Sequence, residues 1–166
     1  MEWSMIKGYA YEPFSHPIMG AFGAVFLSIF TFLYGNGLVA TTGMSLYTGV
    51  IALDWISGYR AAKKDGSYAS EYGIDGGFRT IFLFIVPALA HGVDLLMSTP
   101  NVVFGFALLS FGFHVWKSMT ANVYRAGWDK WIPVYVLDIV ADEIEHKVAR
   151  SRKRVAEKQK YLSGDE

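Results

Sequence analysis

From Pro13 to Leu53 the chain runs 41 residues without a lysine, arginine, aspartate or glutamate, and from Thr80 to Trp116 it carries only Asp94. A domain folded in water needs charge on its outward faces, so two such gaps name hydrocarbon as the solvent. A crossing helix takes about 20 apolar residues at ~1.5 Å per residue. The first gap therefore holds two crossings, with Tyr34-Gly35-Asn36-Gly37 as the turn between them, since Gly and Asn accept positive φ. The pattern predicts an all-α integral membrane protein with about four transmembrane helices. Their expected positions are 17–33, starting at Pro17, then 38–59, 80–97 and 102–116. Pro87 predicts a kink in the third, and Ser98-Thr99-Pro100-Asn101 a turn before the fourth.

The division that follows is an N-terminal segment (1–16), a transmembrane bundle (17–116), and an interfacial segment with a charged tail (117–166). Residues 60–79 hold Arg60, Lys63, Lys64, Asp65, Glu71, Asp75 and Arg79, with glycine at 66, 73, 76 and 77. They read as an aqueous loop, with Gly73-Ile74-Asp75-Gly76-Gly77 as a flexible linker. Of the 15 Lys and Arg, four lie in or beside that loop and ten lie from Lys117 onward, while neither short turn carries any. Four crossings put loop and tail on one side, and the positive-inside rule then places both termini in the cytoplasm. The first residues, with Glu2, Lys7 and Glu12, lack the basic start of a signal peptide, so the N-terminus is expected to be retained.

Beyond the bundle, Trp128, Trp131 and Tyr135 surround Pro133 as headgroup-level aromatics would. Val134, Leu137, Ala141, Ile144 and Val148 follow at helical spacing. Leu137, Ala141, Ile144 and Val148 are candidates for a coiled-coil seam that sets an oligomer. The competing reading is an amphipathic helix lying on the membrane or on its own bundle. The basic run Lys147, Arg150, Arg152, Lys153, Arg154, Lys158 and Lys160 reads as a solvated tail near anionic lipid. With a formal net charge of zero and no aromatics interleaved in that run, nucleic acid is not an expected partner.

An ionisable group within a span costs ~2.5–3.5 kcal/mol on insertion scales, so each needs a reason. Asp54 is expected to pair with Arg60 or Arg79 at the interface, or to face a pore or a neighbouring subunit. His91 and Asp94, three apart on one helical face, are expected to form a hydrogen-bonded pair that stabilises packing or lines an aqueous path. Thr48, Asp54, Gly58, His91 and Asp94 are the candidate pore-lining or inter-subunit contacts, with Arg60, Lys63, Lys64 and Arg79 as the basic residues of the loop. Gly20 and Ala24 form a small-xxx-small pair suited to helix association. There is no cysteine, His114 lies at the wrong end of its span to join a metal set, and no cofactor is expected. No nucleophile elbow, phosphate loop or catalytic carboxylate pair occurs, so the chain does not read as an enzyme.

The run Leu53-Asp54-Trp55-Ile56-Ser57-Gly58-Tyr59-Arg60-Ala61-Ala62-Lys63 is followed by Gly73-Ile74-Asp75-Gly76-Gly77-Phe78-Arg79 and by Ala90-His91-Gly92-Val93-Asp94. In order and spacing this resembles the phage lysis and clostridial toxin-secretion holin family, over roughly residues 48–150. Ser118, Asn122, Gly127 and Ile132-Pro133 continue the resemblance. The N-terminal region is longer than the family's pattern, and His114-Val115 stands where a polar–acidic pair is often found. The resemblance implies a protein that oligomerises in the bacterial cytoplasmic membrane and permeabilises it, releasing an endolysin or a toxin. Its implied partners are membrane lipid, further copies of itself and that cargo. Two other functions fit the topology: a small proton-coupled transporter or ion channel using His91 and Asp94, and a non-conducting scaffold acting through the tail. Inverted repeats and interrupted spans, which transporters show, are absent.

Overall fold

The computed structural model describes residues 17–163, and every regular element in that range is helical. The expected segment 1–16 lies outside the described residues. The elements are α1 (Pro17–Tyr34), α2 (Leu38–Lys64), α3 (Ser70–Met97) and α4 (Val102–Ala126), a single 3₁₀ turn (Asp129–Trp131), α5 (Val134–Ile139) and α6 (Ala141–Ser163). Among the described residues each charge gap is helical apart from its turn, but α3 starts ten residues before the expected 80 and α4 runs ten residues past the expected 116. Gly35, at φ 88°, makes the turn between α1 and α2, and Ser98 and Asn101, both in the left-handed region, make the turn before α4.

Two expectations need correction. The 60–79 segment is not a long loop: α2 continues to Lys64, α3 begins at Ser70, and only residues 65–69 connect them. Gly73, Gly76 and Gly77 lie within α3 rather than in a linker, and Gly76 is a packing site. A Cβ added at Gly76 would lie 3.1 Å from the Trp55 ring, so glycine lets α3 approach α2 there. The second concerns the crossings. Gly73–Met97 and Val102–Ala126 are each long and apolar enough to cross a membrane, whereas Ile18–Tyr34 and Leu38–Lys64 pass that test only as a pair bent by 99°. Length and composition thus support two to three spans.

Packing adds a further constraint on α2. It runs parallel to α4 in a steady register, with Gly43 against Leu108, Tyr47 against Gly112 and Gly58 against Asn122. A helix matched to α4 along its length shares the depth of α4. The core between them and α3 contains Ala40, Met44, Tyr47, Ile51, Leu83, Phe104 and Val115. Outside this core the surface is apolar: Phe22, Phe26, Phe32, Leu46, Phe106 and Leu109 are each more than two-thirds exposed. Patches of that kind are untenable in water and ordinary in lipid.

Helix α3 continues through Pro87, which is fully buried. A proline has no N–H, so the carbonyl four residues earlier, on Leu83, loses its helical donor. Tyr47 of α2 supplies the replacement, its hydroxyl donating to the Leu83 carbonyl at 3.0 Å. Tyr34 of α1 donates to the neighbouring Phe84 carbonyl at 3.1 Å. Tyr47 thus repairs the ladder where no water can, and Tyr34 adds a bond beside it. Replacing Tyr47 by Phe keeps the ring and strips the donor. Chemical unfolding in micelles is expected to show a loss of about 1–3 kcal/mol, the cost of an unsatisfied buried carbonyl.

Candidate functional site

Asp54, Asp65, Arg79, Arg125 and Lys147 gather at one end of the bundle, around Asp54. Its side chain is 2% exposed, a position that demands full satisfaction of the carboxylate. Three neighbours provide it. Ser118 and Asn122 of α4, one turn apart, donate to the same carboxylate oxygen at 2.8 and 2.9 Å, and Arg79 of α3 donates to the other. Gly58 sits one turn below Asp54, and a Cβ there would lie 3.1 Å from the Asn122 amide nitrogen. Glycine at 58 is therefore what lets Asn122 reach the carboxylate.

Helix α6 closes the cluster. Lys147 donates to the Ser118 hydroxyl at 2.7 Å, to the Ser118 carbonyl at 2.9 Å and to the Asn122 side-chain oxygen at 3.0 Å. One turn further on, Ser151 is buried near Asp65, the residue that closes α2. Asp65 also accepts from Arg125 at 2.6 Å and from the Ser67 hydroxyl at 2.6 Å, and Arg125 reaches back to Asn122 at 3.2 Å. Burial alone would push the Asp65 carboxyl up, but the Ser67, Ser151 and Arg125 side chains, with the Arg125 charge, hold it below the usual range. Two carboxylates, three cations and an amide thus join α2, α3, α4 and α6. With Lys147 bonded to α4 and Val140 fully buried, the tail lies on its own bundle. Of the seam residues, Leu137, Ile144 and Val148 are half-buried and Ala141 is exposed.

Of the two partners expected for Asp54, the structure selects Arg79. Arg60 instead stacks over the Trp128 ring at 5.8 Å, and Lys63 over Tyr68 at 4.3 Å. Lys64 lies beside Gly127 at the end of α4. The expected His91–Asp94 hydrogen bond is not formed, because Asp94 is committed across the turn. It accepts from the Phe104 N–H at 2.7 Å, the Val103 N–H at 3.0 Å and the Thr99 hydroxyl. Those first amides of α4 have no helical acceptor, and Asn101 offers no side-chain cap. Asp94 is thus an N-cap supplied by the preceding helix, its charge favoured by the dipole of α4. His91 packs its ring edge-on to Phe104 and against Gly35, leaving Nδ1 without a partner among the described residues.

Thr48 is exposed on α2, aligned with exposed Thr41 and Ser45. Gly20 on α1 has open space around it, and Ala24 is exposed. Among the described residues no His, Cys, Asp or Glu group could hold a metal ion. Lys147, Arg125, Asp65 and Ser151 were not singled out as functional by the sequence. The only signal for Lys147 was its place on the face of Ile144 and Ser151, which a charged tail does not make conspicuous.

Burial pulls the Lys147 ammonium down to about 8 from its ordinary 10.5, with Arg79 and Arg125 reinforcing the effect and Asp54 and Glu143 opposing it. Between those values the unfolded lysine keeps its proton and the docked one has lost it. Stability therefore rises with pH across that window, and the penalty of a buried ammonium is full below it. Melting of the full chain in micelles should rise from pH 8 to 10.5 relative to Lys147→Met, which has nothing to titrate there.

A family model described as "Bacteriophage holin family" matches residues 28–142. An uncharacterized protein of Halalkalibacterium halodurans is 27% identical over 109 residues, spanning 63% of this chain and 78% of that protein. No solved structure matches.

Proposed function

The chain belongs to the bacteriophage holin family, and from that premise we propose that it assembles in the cytoplasmic membrane of a bacterium and opens a lesion that releases an endolysin or a toxin. The observation that carries this reading is the hydroxyl stripe of α2. Thr41, Ser45 and Thr48 follow at intervals of four and three, so they share one face, and all are exposed on a helix at the depth of α4. In a single chain the stripe tolerates lipid by bonding its own backbone: Ser45 donates to the Thr41 carbonyl at 2.7 Å, and Thr41 to that of Gly37 at 3.2 Å. When copies surround an opening, the same hydroxyls can turn to water at little cost.

Thr48 is then the candidate that lines the lumen. Asp54 and Gly58 hold its helix against α3 and α4, and His91 and Asp94 hold α3 against α4. Lateral contact falls to α1, whose exposed Gly20 and Ala24 allow close approach. The tail residues Leu137, Ala141, Ile144 and Val148 join subunits once α6 leaves the bundle. Charge-free α1 has no aqueous face, and as a fourth crossing it places both termini in the cytoplasm, as the basic residues favour.

Induced expression in a bacterium, followed with a membrane-potential dye and a cytoplasmic reporter enzyme, tests the reading. The potential should collapse and the folded enzyme should reach the medium. A Thr41→Val, Ser45→Val, Thr48→Val variant that still inserts should release it roughly tenfold more slowly, since a lumen stripped of hydroxyls wets poorly. A proton-selective flux with no passage of the enzyme would contradict the proposal.

A further inference from the structure

A groove of about 430 Å³ opens beside the polar cluster, between α2, the start of α3, and α6. Trp55, Tyr59 and Tyr68 contribute aromatic surface to its wall, and Arg79, Arg150 and Arg154 are its cations. Lys63 lies nearby, its ammonium stacked on Tyr68 and Tyr59. Two carboxylates are present: Asp54, already paired with Arg79, and Asp75. The balance of charge is positive, and Arg150 and Arg154, four apart on α6, project on one side of it. Its depth is set by α3, because Gly73, Gly76 and Arg79 line the groove and the charge-poor run of α3 begins at Thr80, directly after Arg79. The groove therefore sits where headgroups meet hydrocarbon.

A site with an apolar aromatic wall, an arginine rim and a place at the membrane boundary is complementary to an amphiphile bearing a phosphate. We propose that this groove binds one anionic phospholipid, its phosphate between Arg150 and Arg154 and its glycerol and upper acyl chain along Trp55, Tyr59 and Tyr68. Arginine suits the role because its planar fork meets phosphate oxygens in pairs. Bound lipid bridges α6 to α2 and α3, adding a contact that holds the tail down. The inference rests on the membrane-embedded reading alone and is independent of permeabilisation.

The test uses the full chain reconstituted in vesicles of equimolar phosphatidylglycerol and phosphatidylcholine, extracted in mild detergent, with retained lipid measured by native mass spectrometry. The chain should keep phosphatidylglycerol and not phosphatidylcholine. Arg150→Gln with Arg154→Gln should lower retention roughly tenfold or more, as loss of two cations near an anionic surface implies. Lys158→Gln with Lys160→Gln removes the same charge outside the groove and should leave retention unchanged, and Arg150→Lys with Arg154→Lys should restore part of it. Equal losses in the two glutamine variants would overturn the proposal, because charge alone would then explain binding. Retention indifferent to headgroup, or displacement of the lipid by millimolar inorganic phosphate, would overturn it too.

Discussion

Burying a carboxylate in a helical bundle that lipid surrounds costs several kcal/mol unless every oxygen is met. Asp54 meets that demand by drawing on three other helices. Ser118 and Asn122 come from α4, Arg79 from α3, and Lys147 of α6 bonds the first two in turn. The position of each helix around Asp54 follows from this one requirement. Glycine at 58 admits Asn122, glycine at 76 admits Trp55, and the parallel register of α2 and α4 brings Asp54 level with Ser118. The tail is held by the same bonds, so its placement is a consequence of the buried charge.

Elsewhere in the bundle the absence of water exacts the same accounting of backbone groups. Pro87 frees a carbonyl, and Tyr47 satisfies it. The turn at 98–101 leaves the first amides of α4 bare, and Asp94 satisfies two of them from the preceding helix. Both solutions fix one helix against another with a single side chain. They explain how a bundle with so much apolar surface facing outward keeps a defined packing, since lipid offers no hydrophobic drive between helices. Polar residues within such spans are often read as parts of a conduction path. Here Asp54 and Asp94 are bonded within the fold, and the hydroxyl stripe of α2 is exposed.

The positions of the apolar helices were legible because charge-free length is a strong signal, and the turns at 34–37 and 98–101 because Gly and Asn mark them. The 60–79 segment was misread because its charges and glycines carry the composition of a loop. One of those glycines, Gly76, instead permits close helix contact, which composition does not encode. Arg79 was named only as one of two interface partners for Asp54, and Ser118 and Asn122 entered only through family resemblance. Lys147 was invisible for a physical reason: a lysine among tail lysines announces solvent, and only the folded return of α6 turns it inward. His91 and Asp94 share a face, as their spacing said, yet spacing gave no sign that the backbone of α4 competes for the carboxylate.

A tail fastened by the same group that organises the bundle couples two events: whatever loosens Asp54 also frees α6. The chain has no cysteine, so spin labels can be placed at introduced cysteines without interference. Labels at Phe113 on α4 and Glu145 on α6, both exposed, report whether the tail is docked in a bilayer. Electron–electron resonance should give one narrow distance distribution in the otherwise native chain, broadening and lengthening when Asp54 becomes Ala. A distribution already broad with Asp54 in place, or one unmoved by its removal, would contradict the claim that the buried carboxylate holds the tail to the bundle.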